Sequence, residues 1–527
     1  MTTRPWAALS ALCIGFFMIM LDTTIVSVAI PRLLTDLPAS INEVVWVNSV
    51  YLLTYAVPLL LTGRLGDRFG PKRVFLAGLV VFTLASLWCG LSGSPEMLIT
   101  ARAVQGLGAA MMTPQTMAFI TNLFKPSERG APMGMWGAVA GVATLLGPLL
   151  GGVLVQGVGW EWIFIVNVPI GVVAIILTVW LVPDWQPKNS HRFDVPGILL
   201  CCLGLFALVF GIQNGQQYDW GTIAGPLSIP VMIAIGVLLL VAFVWWQARN
   251  RNEPLLPLTL FRSRTFSFAN LANLMLGFTI TGMFLPLVIW IQAVRGYSPI
   301  ESGLLTAPMS LLSGFVAPFA GRLSDRINPK HVVVVGLGAL AVGLAIIAIQ
   351  TQPDTAPWAL IPAFLVCGFG IGCVFSPLSN AATSALEPRF IGAGSGIFNT
   401  SRQVGGVLGS ASIGVLLQAR LAVELHNAAQ LHASALPANE RAGFVEQMTE
   451  SAGHATEFGS SAPKGGMAPE LAKAALDTFH DGFTSAAKAT LVLPIVTLVI
   501  GAVFAAGMGK QKATPAAPKP ETAPTPA

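Results

Sequence analysis

The sequence reads as an all-α polytopic membrane protein with fourteen spans. Both termini fall on the cytoplasmic side (N-in, C-in), and the spans form two six-helix bundles plus two inserted helices. Three observations carry this. Of 527 residues, 54% are hydrophobic and 10% charged, with a mean hydropathy of +0.71, whereas a soluble domain carries about 25% charged residues. Apolar runs of about 20 residues, the length that crosses a hydrocarbon core, recur along the whole chain. One charged string also occurs twice between such runs: Gly63-Arg64-Leu65-Gly66-Asp67-Arg68-Phe69-Gly70-Pro71-Lys72-Arg73 and Gly321-Arg322-Leu323-Ser324-Asp325-Arg326-Ile327-Asn328-Pro329-Lys330. Repetition of a charged turn between hydrophobic segments marks two related halves.

By length and apolarity the spans fall roughly at 8–30, 44–62, 74–93, 97–120, 131–155, 162–182, 195–213, 224–246, 267–291, 302–320, 332–350, 358–378, 393–417 and 485–507. Basic residues set the orientation. With the N-terminus inside, the inner segments hold Arg4, Arg64, Arg68, Lys72, Arg73, Lys125, Arg129, Lys188, Arg192, Arg249, Arg251, Arg262, Arg264, Arg322, Arg326, Lys330, Arg389, Lys510, Lys512 and Lys519, while short outer loops hold Arg32 and Arg295. That is the positive-inside pattern. The two copies of the string follow spans 2 and 10, whereas two six-helix halves would place them six spans apart. Spans 7 and 8 are therefore the inserted pair. The resulting organisation is a first bundle over 1–182, an inserted pair with flanking cytoplasmic loops over 183–264, a second bundle over 265–507 and a disordered cytoplasmic tail over 508–527. The second bundle includes a long extracytoplasmic segment, 418–484, with helix-like stretches at Glu440–Thr449 and Pro469–Phe479 and a Gly/Ser/Pro-rich stretch at Gly459–Gly466. That segment reads as a surface loop or as a gating or partner-binding cap.

The net charge of +5 does not point to nucleic acid, because the charges cluster in short loops where anionic headgroups and topology account for them. Cys13, Cys89, Cys201, Cys202, Cys367 and Cys373 all lie in apolar runs and read as small core side chains. No Cys/His spacing suggests a metal. The N-terminal run reads as a retained span rather than a signal peptide. There is no Gly-x-x-x-x-Gly-Lys-Ser/Thr loop and no nucleophile–base pair, which excludes an ATPase and leaves no catalytic residue to name.

Three charges lie well inside predicted spans: Asp22, Arg102 and Arg402. A charge in a bilayer interior is costly, so each is a functional candidate. Asp22 is the one deep carboxylate and no histidine is embedded, so a proton-coupled mechanism would rest on it; a static pair or a helix cap is the other reading. Asp22 and Arg102 each sit seven or eight residues from the outer end of their spans, roughly 10–12 Å deep, which permits an interaction. Arg402, in Asn399-Thr400-Ser401-Arg402-Gln403, contacts substrate or bonds between helices. Gln105, Asn273 and Asn399 join Asp22 and Arg402 as candidate cavity residues. Span 5 carries Gly137, Gly141, Gly147, Pro148, Gly151 and Gly152, a pattern for close helix approach and bending. In the repeated turns Gly63, Asp67, Arg68, Arg73, Asp325 and Arg326 form a candidate conformational latch, in which a carboxylate meets a helix N-terminus; a topology signal is the bland alternative.

These residues resemble the major facilitator superfamily, and within it the fourteen-span drug:proton antiporters. Gly63–Arg73 is similar to that superfamily's loop 2–3 motif, and Leu21–Pro31 resembles a first-span motif. Leu98–Ala110, with Arg102, Gln105 and Gly106, resembles a span 4 motif whose arginine is implicated in proton coupling. Gly141–Gly152 resembles the antiporter motif, and Trp160–Pro169 resembles the span 6 entry, with Glu161 where Arg is usual. The resemblance implies the major facilitator fold and export of hydrophobic, cationic drugs across the plasma (inner) membrane in exchange for protons, by alternating access, without a cofactor. Its implied partners are a small-molecule substrate, protons and membrane lipids, with a monomeric chain. Export of an endogenous metabolite or lipid, and a non-transporting sensor, are the competing readings.

Overall fold

The structure, a computed structural model, describes residues 4–509 except 38–40, 126–127, 185–193, 216–217, 251–253, 384–385, 387–389, 435, 438–439 and 451–468. The expectations for Lys188, Arg192, Arg251, Arg389, the Gly459–Gly466 stretch and the C-terminal tail beyond 509 lie outside the described residues. Helices dominate. The first half holds α1 (Pro5–Asp36), α2 (Ile41–Ala56), α3 (Leu59–Phe69), α4 (Pro71–Gly90), α5 (Pro95–Leu123), α6 (Gly130–Gly157), α7 (Trp162–Ile165) and α8 (Asn167–Leu181). Between the halves lie α9 (Val195–Gln213), a two-stranded antiparallel hairpin (Thr222–Ala224 with Leu227–Ser228) and α10 (Ile229–Arg249). The second half holds α11 (Arg264–Ile289, continued by a π turn at Trp290–Val294), α12 (Pro299–Arg326), α13 (Pro329–Gln350), α14 (Ile361–Thr383), α15 (Ile391–Ala433), α16 (Arg441–Glu450) and α17 (Pro469–Gly507). Prolines open α1, α4, α5, α12 and α13, where a missing N–H costs no helical bond. Ser298 and Glu301 form a reciprocal capping box on α12.

Among the described residues, 11 helices are long and apolar enough to cross a membrane, rising to 12 when the bent pair α2–α3 counts as one span. The fourteen expected spans include, besides these, α5 and α6, of 29 and 28 residues.

Two expectations are corrected. The second span is not one helix: α2 and α3 meet at 46°, because Pro58 has no N–H to continue the ladder. The helix before the long polar segment also runs far past 417, to Ala433, whereas α16 and the start of α17 fall on the helix-like stretches expected at Glu440–Thr449 and Pro469–Phe479. The 43 residues of α15 extend about 65 Å at 1.5 Å per residue. Leu417, Leu421 and Leu425, spaced by four, stay buried against Phe483, Ala486 and Ala487 of α17. Beyond them Ala429, Ala433, Phe444 and Ala474 form a small separate core with α16. Apolar spacing of one face holds the helix together where overall composition has turned polar.

The packing groups the helices by half. In the first, α5 lies against α2 and α4, and α1 against α6 and α8; in the second, α11 packs on α15 and α17, and α14 on α12 and α13. The halves meet along α6–α12 and along α3–α15, with α6–α14 and α5–α15 between. The inserted helices α9 and α10 pack on each other, and α9 also reaches α2 and α15. Asp194 caps α9 through the Gly197 N–H (3.1 Å) and accepts from Trp246 Nε1 (2.8 Å) and Gln247 Nε2 (2.6 Å) of α10. Burial would raise its carboxyl, but these donors hold it below the ordinary aspartate value. Gln247 Oε1 accepts the Leu256 N–H (3.1 Å), and Arg64 of the repeated turn donates to the Pro254 and Leu255 carbonyls. The pair is thus fastened to the first copy of the repeat, while Leu238, Val241 and Trp245 of α10 stand exposed.

Candidate functional site

Asp22 of α1 is fully buried, and so are Arg102 and Gln105 of α5. Positions 102 and 105 are three apart on one helix, so both face α1. Arg102 Nη1 donates to Asp22 Oδ2 (2.6 Å) and to Gln105 Oε1 (2.8 Å), and its Nε donates to the Val47 carbonyl of α2 (3.1 Å). Gln105 Nε2 donates to Asp22 Oδ1 (2.9 Å) and to Ser86 Oγ of α4 (3.1 Å). Asn167, at the start of α8, donates to Ser86 Oγ (3.1 Å) and more distantly to Asp22 Oδ1 (3.5 Å). The guanidinium also lies over the Tyr51 ring, 4.0 Å from its centroid. Five segments therefore converge on one carboxylate inside the first half. A charge so buried persists only when paired and hydrogen-bonded, and this network supplies both. The shared depth of Asp22 and Arg102 was readable in the sequence. Ser86, Asn167 and Tyr51 were missed, although each is a polar group inside an apolar run and Asn167 lies within the Trp160–Pro169 string.

The two repeated turns behave alike across the halves. Asp67 Oδ2 accepts the Ala393 N–H (3.2 Å) in the first turn of α15, with Arg64 at 3.8 Å. Both carboxylate oxygens of Asp325 accept the Gly130 N–H (3.1 Å) at the start of α6, and Asn380 donates to Oδ1 (3.2 Å). Each aspartate caps a helix N-terminus belonging to the other half, where the exposed N–H groups and the helix dipole favour an anion. Local geometry differs between the copies. Gly70 closes α3 at φ +90°, a conformation only glycine adopts freely, whereas Asn328 caps α13 through the Lys330 N–H (3.2 Å). Gly63 is buried within α3. Of the remaining latch candidates, Arg73 pairs with Asp184 at 3.6 Å, Arg68 lies over the Phe69 ring, and Arg326 is exposed.

The α6 glycines divide their faces. Gly130 meets the Gly321 carbonyl of α12, and Gly141 faces the Ser310 carbonyl, where an added Cβ would lie 3.2 Å away. At Gly130 any side chain would collide with backbone, so this seam closes only with glycine there. Gly147 faces Thr24 of α1, two residues from Asp22. Gly151 and Gly152 are buried, and α6 continues through position 148. The same helix thus touches the other half and the segment that carries Asp22.

Of the other cavity candidates, Asn273 is buried and donates to the Phe398 carbonyl (2.7 Å), joining α11 to α15 rather than lining an opening. Asn399 donates to the Ser395 carbonyl (2.9 Å), leaving its Oδ1 without a partner. Arg402 lies at the meeting of the halves. Its guanidinium is 5.5 Å from the Phe375 ring of α14, Tyr55 of α2 is its polar neighbour, and Nε and Nη2 have no hydrogen-bond partner. The Tyr55 hydroxyl and Thr113 Oγ1 of α5 lie 3.1 Å apart.

Two related halves joined by helix-capping aspartates, with a buried ion pair inside one of them, define a multi-span membrane transporter rather than an enzyme. Residues 12–410 match the family described as Major Facilitator Superfamily, and the chain belongs to it. It is 32% identical over 531 residues to the tetracenomycin C resistance and export protein of Streptomyces glaucescens, covering 99% of this chain and 95% of that one. It is 48% identical over 422 residues to an uncharacterised MFS-type transporter of Mycobacterium tuberculosis, covering 80% and 72%. It is also 34% identical over 425 residues to the probable actinorhodin transporter of Streptomyces coelicolor, covering 78% and 72%. Among solved structures, the human organic anion transporter MFSD10 aligns with a TM-score of 0.58 at 13% identity, covering 94% of this chain and 100% of that one. The proton:xylose symporter XylE aligns with a TM-score of 0.58 at 12% identity, covering 93% and 94%. At such identities these two bear on the fold alone.

Proposed function

We propose that this chain is a fourteen-span, N-in/C-in antiporter of the plasma membrane that exports hydrophobic drugs or toxic compounds in exchange for protons, with Asp22 as the group that exchanges the proton. The observation that carries the reading is the Asp22–Arg102–Gln105 cluster: a titratable carboxyl, buried in the half whose glycine-rich α6 packs against the other. In the conformation described, the carboxylate is held as an ion pair and sealed from solvent. Protonation removes the charge that Arg102 neutralises, so the same event that loads a proton loosens the contacts joining α1, α4, α5 and α8. Asp67 and Asp325 hold the halves together at the end carrying the repeated turns, which corresponds to a state closed to the cytoplasm. Opening that end requires both caps to be released, and this is the alternating-access step. The inserted pair α9–α10 sits outside the two bundles in this reading. A cofactor has no part in it, because the proton gradient supplies the drive.

Export of a compound made by the cell itself is a second reading, favoured by relatives named for tetracenomycin C export and actinorhodin transport. Inverted vesicles containing the full chain test the common claim. Adding a transported compound should release protons from the acidified lumen, at a rate that follows the compound's uptake. Uptake that proceeds without proton movement, or with a collapsed gradient, contradicts it.

A further inference from the structure

Arg402 lies inside its span as Arg102 does, and among the described residues it has no counter-ion. It is partly buried; Nε and Nη2 are covered and unpartnered. Among the described residues no Asp or Glu pairs with it, whereas Arg102 has Asp22. A phenol and a phenyl ring, Tyr55 and Phe375, are what the protein offers instead. A ring face softens the cost of a buried cation only partly, and an unpaired buried charge is costly to maintain. The surroundings point to what completes it. Phe375 lies 5.1 Å from Trp136, and Trp136 stacks on Phe16 at 4.6 Å, so a file of three aromatic rings from α14, α6 and α1 leads away from the guanidinium across the seam between halves. Buried, unpartnered polar atoms nearby include the Trp136 indole N–H, a donor, and Asn399 Oδ1, an acceptor one turn before Arg402 on the same helix.

We propose that Arg402 and the file Phe375–Trp136–Phe16 form the cargo site, and that it takes a planar aromatic compound carrying an ionised acidic group. The guanidinium pairs with that group, the rings stack on the planar body, and the indole N–H donates to a second oxygen. The inference rests on reading the chain as an exporter whose cargo occupies the seam between halves, and it replaces the cationic cargo expected from sequence resemblance. A cation placed beside Arg402 meets like charge with no carboxylate to offset it, since Asp22 is enclosed within the first half by its own partners.

Binding to the full chain in lipid nanodiscs, without any gradient, tests this separately from proton coupling. The probes are 2-naphthoate, 2-naphthamide and 2-naphthylmethylammonium, which share a ring system and differ in charge. The site predicts that naphthoate binds at least about tenfold more tightly than the amide, with the ammonium compound weakest. Arg402→Met should remove the naphthoate advantage and leave amide binding within about twofold, while Arg402→Lys should keep part of the preference. Should Arg402→Met not fold, the order of the three probes on the wild-type chain still decides. Equal affinities, a preference for the ammonium compound, no naphthoate binding, or a naphthoate preference that survives in Arg402→Met would overturn the assignment. A failed proton-release assay with an intact naphthoate preference would instead fault the coupling and spare the site.

Discussion

Arg102 and Arg402 are the same side chain in comparable positions, one interior arginine in each half, and they are treated in opposite ways. Arg102 is enclosed by Asp22, Gln105, the Val47 carbonyl and the Tyr51 ring. Arg402 faces aromatic rings and a phenol at the seam and keeps Nε and Nη2 without a hydrogen bond, whereas Arg102 leaves Nη2 alone without one and has a carboxylate beside it. An internally neutralised charge can store and release a proton without leaving the half that holds it. An unneutralised one waits for its partner to arrive from outside. On the two proposals above, coupling stays within the first half while cargo sits at the seam between the halves.

The largest expected effect separates the two arginines by stability. Arg102→Met strands the Asp22 carboxylate in the interior, and losing one member of a buried pair costs about 3–5 kcal/mol. Arg402→Met removes a charge that has no counter-charge among the described residues and should leave stability within about 1 kcal/mol or raise it. Thermal melts of both variants in one detergent make the comparison directly, and equal losses would break it.

A smaller effect belongs to the seam. Asp67→Asn and Asp325→Asn each weaken a charge-assisted cap, worth about 1.5–3 kcal/mol, so cysteines placed beside the repeated turns should become more reactive and turnover should fall while cargo binding persists. Unchanged turnover in both variants would leave the caps without a role in switching.

The smallest effect is a control outside the two halves. Asp194 holds α9 to α10 with its carboxyl below the ordinary value, so its stabilisation is present above the unfolded value of about 4 and is lost as pH falls through the folded one. Asp194→Ala should cost about 1–3 kcal/mol near neutrality, and the gap to wild type should close in acid. A gap that is independent of pH would mean the carboxylate charge contributes nothing there.

Much of this was legible in the sequence because it depends on local pattern. Apolar run lengths anticipated the helices, and depth counting placed Asp22 level with Arg102. What stayed hidden depends on partners far along the chain. Nothing local says that Asp67 reaches Ala393 or that Asp325 reaches Gly130, separations of 326 and 195 residues. The candidates Asn273 and Asn399 look alike in sequence, yet one ties α11 to the Phe398 carbonyl of α15 and the other bonds within its own helix and keeps an open oxygen. The absence of a counter-ion at Arg402 is a property of neighbours that only folding assembles. The long reach of α15 was missed for a different reason: average composition outweighed a single leucine face.

The central claim is that Asp22 carries the proton, and one measurement addresses it most directly. Asp22→Asn keeps the size and hydrogen bonding of the side chain but cannot titrate. Reconstituted in liposomes, this variant should still exchange labelled cargo for unlabelled cargo across the membrane, while an imposed pH gradient should drive no net accumulation. Gradient-driven accumulation at the wild-type level by Asp22→Asn would contradict the account and move the proton to another group.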